Sequence, residues 1–166
     1  MLSIIMPFYR KDREFNFVFT HYNLKILNAY SELELIIVID DPNHYQEMIS
    51  HLKMLVEQQQ ILFAIKIVLN EKAHEWRPPC IAINVGIQHA EHNKLLVISP
   101  ETILLQNSLE QLYKACSDET FAIGIIKFVH FDEAIYRDPK ELILARPTVN
   151  LADPTSYRNF AASSLC

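Results

Sequence analysis

The chain has 166 residues, 50% hydrophobic and 21% charged, which is ordinary globular usage, gives a prior of one domain and excludes wholesale disorder. Only two residues are glycine, Gly86 and Gly124, so neither a P-loop nor a GxGxxG fingerprint can be built, and any nucleotide must be held by side chains and ordinary backbone. The net charge of −5 comes without a basic block, which argues against nucleic acid as a partner.

Leu2 to Met6 reads as a short buried strand stopped by Pro7. Residues 12–30 carry apolar side chains at mixed spacings of three and four, as in an amphipathic helix with Asp12 near its start. Glu34 to Ile39 is a second strand without polar alternation, the pattern of a parallel strand covered on both faces. It ends in Asp40-Asp41-Pro42-Asn43, a strong turn signal. A helix over 44–58, a strand over Leu62 to Leu69, and a helix over Ile81 to Ala90 follow, the last preceded by Pro78-Pro79. Lys94 to Ile98 is a fourth strand stopped by Ser99-Pro100. A helix over 106–117 and a strand over Phe121 to Val129 complete the pattern. Alternating strands and helices predict an α/β sandwich with a mostly parallel sheet over 1–136. Residues 137–166, with three prolines and little periodicity, read as an irregular tail.

The odd, widely spaced cysteines Cys80, Cys116 and Cys166 argue against a disulfide framework or a thiolate zinc site. The opening MLSIIMPFYRKDREF has neither a basic n-region nor a long apolar run, so it reads as neither signal peptide nor membrane span. The expectation is a cytoplasmic, soluble domain, with peripheral membrane association left open.

In open parallel sheets, ligands bind beyond the carboxyl ends of the strands. Polar residues sit at three such ends: Tyr9-Arg10, Asp40-Asp41 and Ser99-Pro100-Glu101. Adjacent carboxylates can accept hydrogen bonds from a base or ribose or approach a cation, but Asp is equally a turn former. In the segment from Asn70 to Ala90, Asn84 and Gly86 fall on early turns of a helix. Gly86 permits close approach of a ligand, but tight packing of the helix on the sheet is the favoured reading of the two. Glu101 alone is a charged turn residue. His89 and His92 share a helix face without a third ligand, which favours a solvated face over a metal. His130 and Asp132 flank Phe131 and could pair.

Taken together, SIIMPFYRK (3–11), ELIIVIDDPN (34–43) and WRPPCIAINVGIQHAEHNKLLVISPE (76–101) resemble the donor half of family 2 glycosyltransferases with the GT-A fold. The family pattern is a strand ending in Pro-x-Tyr, a strand ending in Asp-Asp, an Ala-Arg-Asn-x-Gly helix, and a strand running into a DxD metal motif. The resemblance covers roughly residues 2–105 and implies a GT-A α/β/α sandwich. It implies a donor site that includes Pro7, Tyr9, Asp40, Asp41, Arg77, Asn84 and Gly86. Tyr9 would meet the uracil base. Asp40, or Asp41 since the strand runs one residue long, would bond the base or ribose. Asn84 and Gly86 would lie near the diphosphate and sugar.

Two departures carry consequences. Ile83 stands in the place of the family's Arg, and Arg77 is the cation nearest in sequence to replace it. Ser99-Pro100-Glu101 stands in the place of DxD, so Glu101 is the one remaining carboxylate for Mg2+ or Mn2+, and metal binding is weakened. The family's acceptor half and its general base follow the DxD. The sequence after residue 105 is short, as in a truncated acceptor region or a minimal enzyme, and Asp132 is one of several candidate bases there. The implied activity is inverting transfer from a nucleotide-sugar, UDP-linked, to a glycan or lipid-linked acceptor, as in polysaccharide biosynthesis. The rival is a catalytically degenerate module of the same fold that binds a nucleotide, glycan or protein. A further reading is another α/β enzyme using His130 and Asp132.

Overall fold

The computed structural model describes residues 1–9, 14–71, 78–104, 107–122 and 124. The elements run β1 (Leu2–Phe8), α1 (Glu14–Leu27), β2 (Leu33–Ile39), α2 (Tyr45–Glu57), β3 (Ala64–Leu69), α3 (Pro79–Gln88), β4 (Leu95–Val97) and α4 (Ser108–Ala115). The chain groups into two compact units, Met1–Leu104 and Leu105–Cys166. The expected boundary at 136, the tail 137–166, Asp12 and most of the strand expected at Phe121 to Val129 lie outside the described residues. Phe121, Ala122 and Gly124 are not in a strand.

In the first unit the sheet has the order β3-β2-β1-β4, and every described pair is parallel. The register runs Ile5–Ile36–Lys66 and Phe8–Ile39, with Ile39 opposite Leu69. β1 and β2 are buried at every position, as their unbroken apolar runs predict for strands covered on both faces. β1 continues through Pro7 rather than stopping before it. The carbonyls of Ile5 and Phe8 accept from Ile98 and Asp40 respectively, so odd residues of β1 face β4 and even ones face β2. Pro7 therefore turns its missing N–H toward β4, whose pairing ends at Val97, and leaves the pairing with β2 intact through Phe8.

Alternation sorts the side chains into layers. Ile5, Ile36 and Val38 pack with Ala82 of α3, joined by Val68 and Val85. On the opposite face Phe8 meets Phe17 of α1 at 5.1 Å between ring centroids, and Thr20 of α1 donates to the Met6 sulfur at 3.7 Å. α2 covers the same face: the His51 ring stacks on Phe17 at 4.1 Å, and Met48 and Leu52 are buried. Burial first, and Lys25 second, hold the His21 imidazole below its ordinary pKa beside Gln59 at 3.0 Å. The result is an α/β/α sandwich.

Two asparagines of α1 and its exit bind loop backbone as a neighbouring strand would. Asn28 donates to the Gln60 carbonyl at 2.6 Å and accepts from the Leu62 amide at 2.7 Å. Asn23, fully buried, donates to the Thr102 carbonyl at 2.7 Å and accepts from the Leu104 amide at 2.9 Å.

At the amino ends of the strands, the α3 face carries an ionic cluster. Glu34 is 2% exposed. It accepts from Ser3 Oγ and from the Glu91 amide at 2.7 Å, and its other oxygen lies 2.7 Å from Lys66 Nζ. Lys66 also donates to the His89 carbonyl at 3.1 Å and to Glu91 at 2.7 Å. Burial pushes the Glu34 carboxyl up, but the Lys66 ammonium, the Ser3 hydroxyl and the Glu91 amide outweigh it and hold the carboxyl at about 2. The cluster ties β1, β2 and β3 to the end of α3.

In the second unit, α4 follows Asn107 in the left-handed region at φ 68°, a conformation Asn tolerates. Glu110 and Lys114 pair along its surface at 2.6 Å. Among the described residues no helix is long and apolar enough to cross a membrane.

Candidate functional site

The sheet order makes β1 and β4 neighbours across the point where the strand order reverses, with β2 and β3 on one side and β4 on the other. In an open parallel sheet that switch point opens a crevice at the strand carboxyl ends. Tyr9 follows β1 there, and Ser99-Pro100-Glu101 follows β4.

One residue past the pairing of Phe8, Ile39 and Leu69, the ladder continues. The Asp40 amide donates to the Phe8 carbonyl at 2.8 Å, and the Asn70 amide donates to the Ile39 carbonyl at 2.9 Å. Tyr9, Asp40 and Asn70 thus line up across three strand ends. By alternation they lie on the α3 face, two residues beyond Pro7, Val38 and Val68. Asn70 Nδ2 donates to Asp40 Oδ1 at 2.8 Å, and both residues are 3% exposed. A carboxylate only accepts, so the amide orientation follows from the pair itself. Tyr9 is half-buried.

Asp41 does different work. His44 Nδ1 lies 3.1 and 3.0 Å from its two oxygens, and the His44 amide donates to the Asp41 carbonyl at 3.1 Å. Because the carboxylate can only accept, Nδ1 carries the ring proton. Asp41 thus closes the turn that leads into α2, and Asp40 is the carboxylate in line with Tyr9.

α3 runs back along the sheet. Its last residues reach the amino ends, where His89 meets Lys66, so its first turn stands at the carboxyl ends. Pro79 opens it at a position that needs no N–H, and the helix starts two residues earlier than its periodicity predicts. Gly86 is buried against the strands: a Cβ there would lie 2.4 Å from Ile5 Cγ2 and 3.2 Å from Val38 Cγ2. Its missing side chain sets how closely α3 approaches the sheet. Asn84 is exposed, about 200° around the helix from Gly86. The two residues that share a motif in sequence therefore face opposite ways. Gly124 differs from Gly86, having only ordinary contact with Leu112 at 3.7 Å.

The β4 exit is a tight turn, with the Thr102 amide donating to the Ser99 carbonyl at 2.9 Å. Pro100 is buried and Glu101 exposed. Asn23 clamps the backbone directly after it. Among the described residues no three His, Cys, Asp or Glu side chains converge where a metal ion could sit. One exposed carboxylate does not fit a protein-held Mg2+ or Mn2+, which needs several oxygen ligands. His89 and His92 stand at the opposite end of the sheet, where His89 Nδ1 lies 2.8 Å from the Val85 carbonyl. Cys80 and Cys116 form no disulfide among the described residues, and both are partly buried. Arg77, His130 and Asp132 lie outside the described residues.

Of the expected site residues, Tyr9 and Asp40 come together, while Pro7 and Gly86 lie in the packing beneath them. Asn70 and Asn23 carry parts of the arrangement that motif reading missed. Asn70 had the same signal as Asp40, a polar residue directly after an apolar run. Asn23 is a poor helix former at a buried mid-helix position, which itself signals a side chain bonded to backbone.

No family model matches the chain, and no curated protein matches it. Among solved structures it is similar to the mannosyltransferase PcManGT from Pyrobaculum calidifontis, in complex with GDP-Man and Mn2+. The TM-score is 0.54 at 16% identity, over 68% of this chain and 31% of that one. It is also similar to S. aureus TarS 1–349, at a TM-score of 0.48, 16% identity and the same shares of each chain. The chain thus spans 31% of the length of these neighbours. The likeness to the mannosyltransferase is one of fold: the α/β/α sandwich is GT-A-like, the fold of a glycosyltransferase.

Proposed function

We propose that the chain forms the donor-binding half of a family 2-type glycosyltransferase that takes its sugar from a nucleotide-sugar, with UDP as the carrier. The observation that carries this reading is the row of Tyr9, Asp40 and Asn70 at the carboxyl edge, beside the β1/β4 switch point. A half-buried phenol ring offers a face for a base. A carboxylate fixed in the ladder offers an acceptor for a base N–H or a ribose hydroxyl. Arg77 and Asn84 orient the diphosphate and sugar. The reaction is in-line displacement at the anomeric carbon: the acceptor oxygen forms the new bond, the sugar–phosphate bond breaks with inversion, and the nucleoside diphosphate leaves with the electron pair. A base, for which Asp132 is the candidate, takes the acceptor proton. The acceptor class is a glycan or a lipid-linked sugar. A divalent ion would neutralise the leaving diphosphate in such enzymes. Here Glu101 is the only carboxylate of the Ser99-Pro100-Glu101 segment, and no step is assigned to a metal.

That single carboxylate favours a second reading, a degenerate module that keeps the nucleotide site without transfer. Thermal unfolding with UDP, with GDP and with each plus Mn2+ tests the shared part. A ligand that binds only the folded state raises the midpoint by mass action. UDP is expected to raise it more than GDP, the carrier of the mannosyltransferase neighbour's donor, and Asp40→Ala to abolish the rise. No rise with either nucleotide at millimolar concentration would refute the donor site. Donor hydrolysis by the wild-type chain, absent in Asp40→Ala, separates the enzyme from the binding module.

A further inference from the structure

We infer that Asn23 is a positioning residue for the switch-point crevice: from inside α1 it fixes the chain that leaves β4 and forms one wall of that crevice; this rests on the donor-site reading above. The Ile98 amide donates to the Ile5 carbonyl at 3.0 Å and carries the ladder one residue past β4. Beyond it the chain makes the Ser99–Thr102 turn, closed by its 2.9 Å backbone bond and by the Glu101 amide donating to Ser99 Oγ at 3.3 Å. Both ends of each bond lie within the turn, so these bonds fix its shape and not its direction. Asn23 supplies the direction. Its Nδ2 donates to the Thr102 carbonyl at 2.7 Å and its Oδ1 accepts from the Leu104 amide at 2.9 Å, partners 79 and 81 positions away in the chain. α1 packs on the face opposite α3, so the clamp draws the outgoing chain toward α1 and away from the face on which Tyr9 lies.

Burial makes the clamp stiff. Asn23 is fully buried and Leu104 is 6% exposed. A buried amide that loses its partners finds little water to replace them, so releasing the segment leaves the Asn23 side chain and the Leu104 amide unsatisfied together. The β4 wall is therefore ordered before a ligand arrives, and binding is spared the cost of ordering it. Asn28 offers a comparison within the same chain. It makes the same two kinds of bond, to the Gln60 carbonyl at 2.6 Å and from the Leu62 amide at 2.7 Å. Those partners lead into β3 at the amino end of the sheet, away from the crevice. One asparagine clamps a wall of the crevice, and the other serves the fold alone.

The test uses the full chain with UDP as the probe, at a temperature where each protein compared is folded. UDP affinity and thermal midpoint are measured for wild type, Asn23→Ala, Asn23→Asp and Asn28→Ala, with amide exchange read at Leu104 and Leu62. Asn23→Ala is expected to weaken UDP binding about tenfold. Asn23→Asp keeps the acceptor for Leu104 but sets a carboxylate against the Thr102 carbonyl; it is expected to weaken UDP by a similar factor, and it carries the test if the alanine variant does not fold. Asn28→Ala is expected to lower the midpoint and to leave UDP affinity within about twofold of wild type. By linkage, UDP must in turn hold the clamp closed, so in wild type it slows exchange at Leu104 more than at Leu62. A merely structural Asn23 predicts otherwise: UDP affinity is unchanged in the Asn23 variants, or it follows the midpoint alike at both asparagines, or UDP slows Leu104 and Leu62 equally. Any of these overturns the inference and leaves the donor site standing. Failure of wild type to bind UDP overturns both.

Discussion

Replacing Glu34 by Gln perturbs the ionic cluster at the amino end of the sheet while keeping its shape. The carboxyl sits at about 2 in the folded chain against an ordinary 4.5. A group whose folded pKa is depressed adds stability above its unfolded pKa, and that stability is lost as the pH falls toward the folded pKa. The full drop corresponds to about 3 kcal/mol as an upper bound. Lys66 is 30% exposed, so solvent screens part of the attraction and about 1–2 kcal/mol remains. The uncharged amide also aims N–H groups at Lys66 Nζ, which adds to the loss. Urea unfolding of wild type and Glu34→Gln at a series of pH values is the assay, because the difference between them removes the other carboxylates. The difference is expected to be constant above about pH 5 and to fall by more than half by about pH 3. A difference independent of pH, or one that grows on acidification, would refute the assignment of the depressed pKa to this cluster.

Further outcomes follow from the packing. Gly86→Ala gains about 1 kcal/mol of helix propensity but drives a Cβ to 2.4 Å from a buried Ile5 methyl. With about 1–3 kcal/mol of overpacking, denaturant melts are expected to show a net loss of up to about 2 kcal/mol and weaker UDP binding as α3 shifts. A gain in stability would mean that α3 has room to move. Asn23→Ala strips two hydrogen bonds from the 102–104 backbone and leaves a buried Leu104 amide unpaired. A loss of about 2 kcal/mol is expected, with faster amide exchange at Leu104; unchanged exchange there would show that the clamp is not what orders the segment.

Fold and site were legible in the sequence to different depths. Unbroken apolar runs at Leu2–Phe8 and Leu33–Ile39 marked a doubly covered parallel sheet, because alternation is absent only when both faces are buried. Boundaries slipped where proline was read as a stop. Pro7 stays in β1 because its missing donor faces β4 and leaves the pairing with β2 intact, and Pro79 begins α3 because a first-turn residue needs no N–H. At the site, Asp40 was visible as a carboxylate ending a buried run. That Asp41 belongs to the His44 turn depends on a contact across the turn, which strand length could not reveal. Gly86 and Asn84 read as one motif, yet two helical positions put them on opposite faces. Asn70 and Asn23 act on residues 30 and about 80 positions away, so no local spacing could announce them.

The central claim is that the carboxyl edge of β1, β2 and β3 holds a nucleoside. A crystal of the chain soaked with UDP tests it most directly. The expected map shows the base against Tyr9, with its N–H edge toward Asp40, and the diphosphate near the start of α3. A base bound elsewhere on the domain, or an edge left bare by a ligand that binds in solution, would contradict it.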